Sequence, residues 1–434
     1  MRHLSLLLGV LLCTCFGVHR ENFRTCDQSG FCKRHRNLQP GSSDYVVQPS
    51  TLRISKTSLM VDVVNTQNNV RFLLQGYGLV NSIFRVKLVE AEPIRERYEV
   101  PVGISLFAEP VEEELKYHGE KDGKLTFSLG ENKMVVNIDP LRLDFFIRDE
   151  PVLSLNAQGL LKFEHTRKKQ RSTQWLDTKK ENEDAPGDSE DEQKEEGNEA
   201  KKEEDDEPDM WEETFKGYTD TKPNGPSSVG VDMSFPGFRY AYGIPEHADS
   251  FALKTTKNTD PYRMYNLDVF EYELYNPMAL YGHVPFMVAH NEKNTVGVFF
   301  QNAAEGWIDI QSNVADKSIF SNLADLVTGS SEVPQIDTHW FFEDGIIDIF
   351  VLLGPGPKDI FKQYAGLTGN TPLPPLWALA YHQCRWNYND QEDVRTVDQT
   401  MDQFDIPFDV IGWILNTLIP KSILLGMEAV SQTH

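Results

Sequence analysis

The sequence predicts a mainly β fold, an antiparallel β-sandwich followed by the first β-α-β portion of an α/β domain. Three observations carry this reading. Apolar and polar residues alternate with period two, as in Phe84, Val86 and Leu88 against Arg85 and Lys87, the pattern of half-buried strands. Polar turn clusters separate such runs, which suits antiparallel pairing. Near the end, an apolar run, an amphipathic stretch and a second apolar run follow one another, and a connection of that length belongs to a parallel unit.

Taken in order, Arg2 and His3 precede an apolar run over residues 4–18. It is too short to cross a bilayer comfortably and reads as a secretory signal peptide, residues 1–17, cut near Gly17 or Val18. No later stretch reads as a membrane span, since the apolar residues 410–419 are broken by Pro420 and Lys421. Cleavage leaves Cys26, Cys32 and Cys384. In an oxidising compartment Cys26 and Cys32 are expected to close a small loop, and Cys384 to be a buried thiol in a strand. No cysteine–histidine cluster points to zinc, no cofactor motif is present, and no Asn-x-Ser/Thr sequon occurs.

The first part of the sandwich is assigned to residues 18–165. Leu141, Leu143, Phe145 and Ile147 alternate with Arg142, Asp144 and Arg148, with Phe146 breaking the pattern. A further strand covers 152–155, and a turn at Gly159 leads to apolar residues up to Phe163. Residues 166–210 then interrupt. Within them, 181–210 hold sixteen acids against three lysines, so the stretch cannot bury enough surface to offset chain entropy and reads as a disordered, solvated insertion. The overall formal charge of −24 argues against nucleic-acid binding, which needs basic partners for phosphates.

The second part of the sandwich spans 211–354, with strands at 227–233, 284–290, 296–300, 307–310 and 345–353. The α/β domain is assigned to 355–411. It holds a short helix at 357–364, a linker of Pro372, Pro374 and Pro375, a buried strand at 377–383 and a helix at 390–404. That helix places Val394, Val397, Met401 and Phe404 on one face. Asn389 or Asp390 caps it, and Glu392 and Asp393 suit its dipole. A second buried strand covers 408–411. A (β/α)8 barrel takes roughly 250 residues, so this one is read as incomplete, followed by a divergent tail at 412–434.

Five segments in order, YGIPEHAD (242–249), YRMYNLDVFEYELYNPM (262–278), NAAEGW (302–307), GIIDIFVLL (345–353) and YHQCRWNY (381–388), resemble glycoside hydrolase family 31. The signal peptide, the Cys26/Cys32 pair before Lys33-Arg34, and the acidic stretch ahead of Trp211-Glu212-Glu213 are similar to the endoplasmic-reticulum branch of that family. The resemblance implies a galactose-mutarotase-like sandwich and a (β/α)8 catalytic barrel. It also implies a retaining α-glucosidase that removes α-1,3-linked glucose from N-glycans of glycoproteins in the endoplasmic reticulum lumen. A β-subunit partner would supply retention, in keeping with the ending Ser431-Gln432-Thr433-His434, which is no retrieval signal.

On the same resemblance, Asp249 matches an aspartate that binds glucose hydroxyls, Phe270 an aromatic near the leaving group, and Trp386 an aromatic lining the glucose pocket at a barrel strand end. Retention needs two carboxyl groups, which the family carries on later barrel strands. No residue of this sequence matches either, and Gly412-Trp413-Ile414-Leu415-Asn416 departs from the family's Trp-Leu-Asp-Ile-Glu. No catalytic residue is therefore assigned, and these 434 residues are expected to be inactive alone. Two other readings stand beside this one: a non-catalytic carbohydrate-binding or decoy subunit, and a glycogen-type α-glucosidase of the same family. His247, His382, Asp268 and Asp348 read as structural residues, and Arg385 as the partner of a buried carboxylate.

Overall fold

The computed structural model describes residues 19–169, 209–269, 272–314, 333–386 and 388–413. The expected signal peptide, most of the acidic stretch, Phe270 and the tail beyond 413 lie outside the described residues. The chain forms two compact units that divide after Gly369.

The first unit opens with the bonded pair Cys26–Cys32 and helix α1 (Gly30–His35). There follow β1 (Tyr45–Ile54), β2 (Ser58–Asn65), β3 (Arg71–Leu79), β4 (Ile83–Glu90), β5 (Lys116–Lys121), β6 (Lys124–Leu129), β7 (Asn132–Asn137), β8 (Arg142–Ile147), β9 (Glu150–Leu155) and β10 (Lys162–Phe163). The hairpin of β11 (Glu212–Phe215) and β12 (Tyr218–Thr221) stands apart as a two-stranded sheet. The sandwich resumes with β13 (Val229–Pro236), β14 (Tyr240–Gly243), β15 (Tyr262–Met264), β16 (Phe286–His290), β17 (Thr295–Phe300), β18 (Gly306–Ser312), β19 (Gln335–Phe342) and β20 (Ile347–Leu352), and ends in α2 (Pro357–Thr368).

One sheet runs β1-β2-β3-β4-β20-β17-β16-β14 and the other β15-β18-β19-β13-β9-β8-β7-β6-β5, with β10 on β13. Early and late strands thus share both sheets. β20 pairs β4 from Ile347 opposite Leu88 to Leu352 opposite Ile83. Antiparallel pairing and alternating burial, as in the strict alternation along β2, are as the sequence predicts. Phe146 breaks the sequence pattern because it is an apolar residue at an outward position: Leu143, Phe145 and Ile147 enter the core in regular alternation, and the register slip between β8 and β9 falls on β9, where Val152 is left without a partner.

The two inner faces make one core, from Val61, Phe72 and Phe145 through Phe300, Trp340 and Val351. A smaller cluster forms where Ile360 and Leu367 of α2 meet Phe286, Phe299 and Phe350. The sequence put this helix with the α/β domain. Its apolar stripe packs on β17 and β20, so it belongs to the first unit and the division falls after Gly369.

Several charges are buried with partners. Arg85 donates twice to Asp348, from Nε at 2.9 Å and Nη2 at 2.6 Å, so Asp348 is structural. Arg97 donates from Nε to Glu90 at 2.7 Å, to Gly345 O at 2.9 Å, and to the carbonyls of Ser227 and Glu164. Its guanidinium lies 4.4 Å over the Phe163 ring. This one side chain ties together the segments before and after the acidic stretch.

His339 on β19 is buried against Phe341, ring centroids 4.0 Å apart. Burial pushes its pKa down to about 3, so it folds in neutral. Between the ordinary histidine range and that value, the unfolded chain binds a proton that the folded chain refuses, and stability falls as pH falls. His339→Gln removes this dependence. The stability advantage of the wild type over the variant is expected to shrink by about 2 kcal/mol from pH 7 to pH 5, measured by urea unfolding. A pH-independent difference would show that the ring titrates freely.

The second unit, from Asn370, holds β21 (His382–Arg385), α3 (Gln391–Gln403) and β22 (Val410–Trp413). β21 and β22 are parallel, His382 opposite Val410, and Asp390 caps α3 by accepting from Asp393 N at 2.8 Å. The strand expected at 377–383 is corrected: residues 376–379 form a 3-10 turn with Leu376 and Leu379 exposed, and β21 starts at His382. Pro374 and Pro375 fix the approach in an extended form without N–H donors, which favours a turn over ladder pairing. Cys384 is corrected too, since it is an exposed free thiol on β21.

Candidate functional site

The segment carrying Asp249 leaves β14 at the end of the first sheet and is held by backbone bonds to the chain around 280–286. Ile244 N donates to Phe286 O at 2.8 Å, Glu246 N to Gly282 O at 2.9 Å and Val284 N to Pro245 O at 3.1 Å. The Glu246 carboxylate answers by accepting from Gly282 N at 2.8 Å. His247 is pinned through Nε2 to the Arg263 carbonyl at 2.8 Å and sets its ring edge-on to Tyr262. Burial lowers its pKa, so it is a neutral structural donor.

This scaffold delivers Asp249 to three donors. Ser250 N reaches Oδ1 at 2.7 Å, Lys254 Nζ pairs with the same oxygen, and the Tyr262 hydroxyl donates to Oδ2 at 2.8 Å. Tyr262 is 1% exposed, and its hydroxyl in turn accepts from Lys254 N at 3.1 Å. Burial works against ionising Asp249, but the Lys254 ammonium, the Ser250 amide and the Tyr262 hydroxyl together hold its carboxyl below the usual range. Burial raises the Tyr262 phenol, further supported by the adjacent carboxylate. The result is a carboxylate ionised at neutral pH in a fixed orientation. A carboxylate offers about four lone-pair sites, so the three donors leave Oδ2 able to accept a further hydrogen bond. The Lys254 side chain, 46% exposed, is the partner most easily displaced.

Phe270 lies outside the described residues. Beside it Val269 is buried, and Asp268 accepts from the Tyr281 hydroxyl at 2.8 Å. Trp386 sits in the second unit, on the turn that ends β21, with its ring half exposed. Arg385 lays its guanidinium 5.6 Å over the buried Tyr388 ring. His382 contacts the Ala380 carbonyl through Nδ1 at 2.9 Å. Asp249 and Trp386 therefore belong to different units. The sequence marks neither Tyr262 nor Lys254 as a residue that positions Asp249: Tyr262 stands only as the first residue of the segment 262–278, and Lys254 lies in no motif or periodic pattern. Among the described residues no cluster of histidine, cysteine and carboxylate could hold a metal, and no helix is long and apolar enough to cross a membrane.

Comparison with known proteins gives this arrangement its context. Residues 74–309 match the glycosyl hydrolase 31 N-terminal galactose mutarotase-like domain, and residues 371–414 match the glycosyl hydrolases family 31 TIM-barrel domain. The chain is 46% identical over 413 residues to neutral alpha-glucosidase AB of Mus musculus, covering 94% of this chain and 43% of that protein. It is 36% identical to neutral alpha-glucosidase C of Homo sapiens, covering 92% of this chain and 42% of the relative. A crystal structure of glucosidase II alpha subunit with DNJ bound superposes with a TM-score of 0.74 at 35% identity, covering 90% of this chain and 41% of that one. The catalytic subunit in a crystal structure of the ER glucosidase II heterodimeric complex, which includes the binding domain of the regulatory subunit, gives 0.72 at 34%, covering 90% and 42%. The chain thus spans less than half the length of these relatives. With a mutarotase-like sandwich and the opening of the barrel in family order, the chain belongs to glycoside hydrolase family 31.

Proposed function

We propose that these residues form the sandwich and the first barrel strands of an α-glucosidase that removes terminal α-1,3-linked glucose from N-glycans of glycoproteins in the endoplasmic reticulum lumen. The identity of 46% to a neutral alpha-glucosidase across both domains carries this reading. The resemblance to glucosidase II supplies the compartment and the partner, a glucosidase II β-subunit, as in the heterodimer that matches this chain. In this proposal Asp249 accepts hydroxyl hydrogen bonds from the terminal glucose. Phe270 and Trp386 offer apolar faces to the sugar.

Cleavage with retention proceeds through one carboxylate as nucleophile and a second as acid, then base, about 5–5.5 Å apart. In the family both reside on barrel strands later than β22. Expressed alone, the 434 residues are therefore expected to release no glucose from p-nitrophenyl α-D-glucopyranoside, and their part would be sugar or subunit binding. A chimera tests the assignment. Residues 19–411 fused to the remaining barrel of the Mus musculus relative should hydrolyse the same substrate, with α-glucose as the first-formed anomer by NMR. Turnover by the 434 residues would refute the missing-carboxylate reading, and a folded but inactive chimera would refute the glucosidase reading.

A further inference from the structure

The β11–β12 hairpin pairs with no strand of either large sheet. Met210 and Trp211 are buried at its foot, but within the two strands only Glu213 is buried, and β12 is exposed throughout. Charges hold it instead. Glu213 accepts from Gly30 N at 2.8 Å and from Arg24 Nη1 at 3.1 Å, and the Arg24 guanidinium lies 5.2 Å over the Phe215 ring. Lys222, just after β12, donates its amide to the Trp211 carbonyl at 2.8 Å. Its Nζ lies 3.7 Å from Glu343 and 3.8 Å from Glu213. A hairpin anchored by charges rather than by an apolar stripe answers to their protonation.

Four carboxylates meet at this joint, and three of them are well supplied. Glu213 has the donors just named, Glu164 pairs with Arg34 and accepts from Ser228 N at 3.2 Å, and Glu305 accepts from Arg263 Nη2 at 2.9 Å. Glu343, at the end of β19, is the exception. Its backbone is fixed, N donating to Glu305 O at 3.0 Å and O accepting from Ser228 Oγ at 3.0 Å. Neither of its carboxylate oxygens has a hydrogen-bond donor among the described residues, Lys222 Nζ has no acceptor, and all three atoms are shut off from solvent. An ionised Glu343 would therefore face one cation beyond hydrogen-bond reach and the charges of three other carboxylates, with no water to screen them. A carboxyl group so placed holds its proton. Burial first, helped by Glu213, Glu305 and Glu164, outweighs the Lys222 ammonium and raises Glu343 to about 7.

We propose that Glu343 is a proton-operated latch for the β11–β12 hairpin: protonated, it lets the hairpin seat with Lys222 against it, and ionised, it drives the hairpin off so that the carboxylate reaches water. A Glu343 uncovered by hairpin opening titrates in the ordinary carboxylate range. Between that range and about 7 the closed form binds a proton that the open form has released, so closure weakens as pH rises through this window. The latch uses no residue proposed for sugar binding and stands whether or not the glucosidase reading holds.

The test uses the full 434-residue chain, labelled with 15N and 13C and with its disulfide formed. Hydrogen exchange at the Gly30 amide, which Glu213 holds, and at the Lys222 amide reports closure. Both are corrected for the intrinsic pH dependence of exchange, with amides at the centre of the first sheet as reference. The Gly30 protection factor is expected to fall on the order of tenfold from pH 5.5 to pH 7 and to level off above that. Glu343→Gln, an uncharged isostere, should keep the low-pH protection across the whole range. Lys222→Met removes the favourable charge and should move the levelling-off to higher pH, with the reference amides unchanged. In the wild type the Glu343 carboxyl carbon, assigned by its loss in Glu343→Gln, should titrate with a midpoint of about 7. Protection independent of pH in the wild type, an unaltered pH dependence in Glu343→Gln, or a midpoint in the ordinary carboxylate range would each overturn the proposal.

Discussion

Replacing Arg97 with methionine is expected to lower the unfolding free energy by about 3–5 kcal/mol, the cost of breaking a buried ion pair from one side. Methionine keeps much of the aliphatic volume, so the loss is electrostatic. Glu90, whose side chain is 5% exposed, would remain with Thr166 N at 3.0 Å and Thr166 Oγ1 at 2.9 Å as donors, without its counter-charge. The carbonyls of Ser227, Glu164 and Gly345 would each lose a charged donor. Equilibrium urea unfolding of the first unit measures the effect. The pair Glu90→Gln with Arg97→Met should recover a good part of it, since no lone charge is then left inside. A loss below about 1 kcal/mol, the range of surface pairs, would mean that Arg97 is solvated.

The second large effect concerns sugar recognition. In the chimera carrying the Mus musculus barrel, Asp249→Ala is expected to reduce kcat/KM on p-nitrophenyl α-glucoside by a factor on the order of 10²–10³. That is about 3–4 kcal/mol, or two hydrogen bonds to a charged group. Tyr262→Phe should cost about tenfold, because it removes one hydrogen bond that holds Oδ2 without touching the sugar. Lys254→Met should change the rate least, since the side chain is half exposed and screened. An Asp249→Ala enzyme with unchanged kcat/KM would overturn the proposed place of Asp249 in a glucose pocket.

Alternation made the strands legible where one face is buried and the other wet, as in β4 and β8. It failed where both faces are covered. β19 carries Gln335-Ile336-Asp337-Thr338-His339-Trp340-Phe341-Phe342 and shows no period. One face of it enters the main core through Trp340 and Phe342, and the other meets the disulfide loop through Phe341. β13 was legible, but its Asp232 lies on a covered face. It is 1% exposed because Gln158 N at 2.7 Å and Leu160 N at 2.9 Å satisfy its carboxylate. At the site, Asp249 was reachable only through its motif. Lys254 and Tyr262 converge on it through a turn and a strand pairing that no local spacing encodes. In the second unit residues 377–383 read as a buried strand from their apolar run alone, but paired prolines just before them put 376–379 in a 3-10 turn.

Finally, residues 164–167 run beside residues 224–228 in the first unit. Arg167 N donates to Asn224 O and Glu164 N to Ser228 O, while the Arg167 and Lys169 cations both sit over the Trp211 ring, at 5.7 Å and 5.9 Å. With exit and return stapled side by side, nothing between residues 169 and 209 has to span a distance. The architecture tolerates a connection of almost any length there, at a closure cost that grows only logarithmically. This makes the sequence between 169 and 209 a natural port for grafting a reporter domain or an affinity handle without disturbing either sheet.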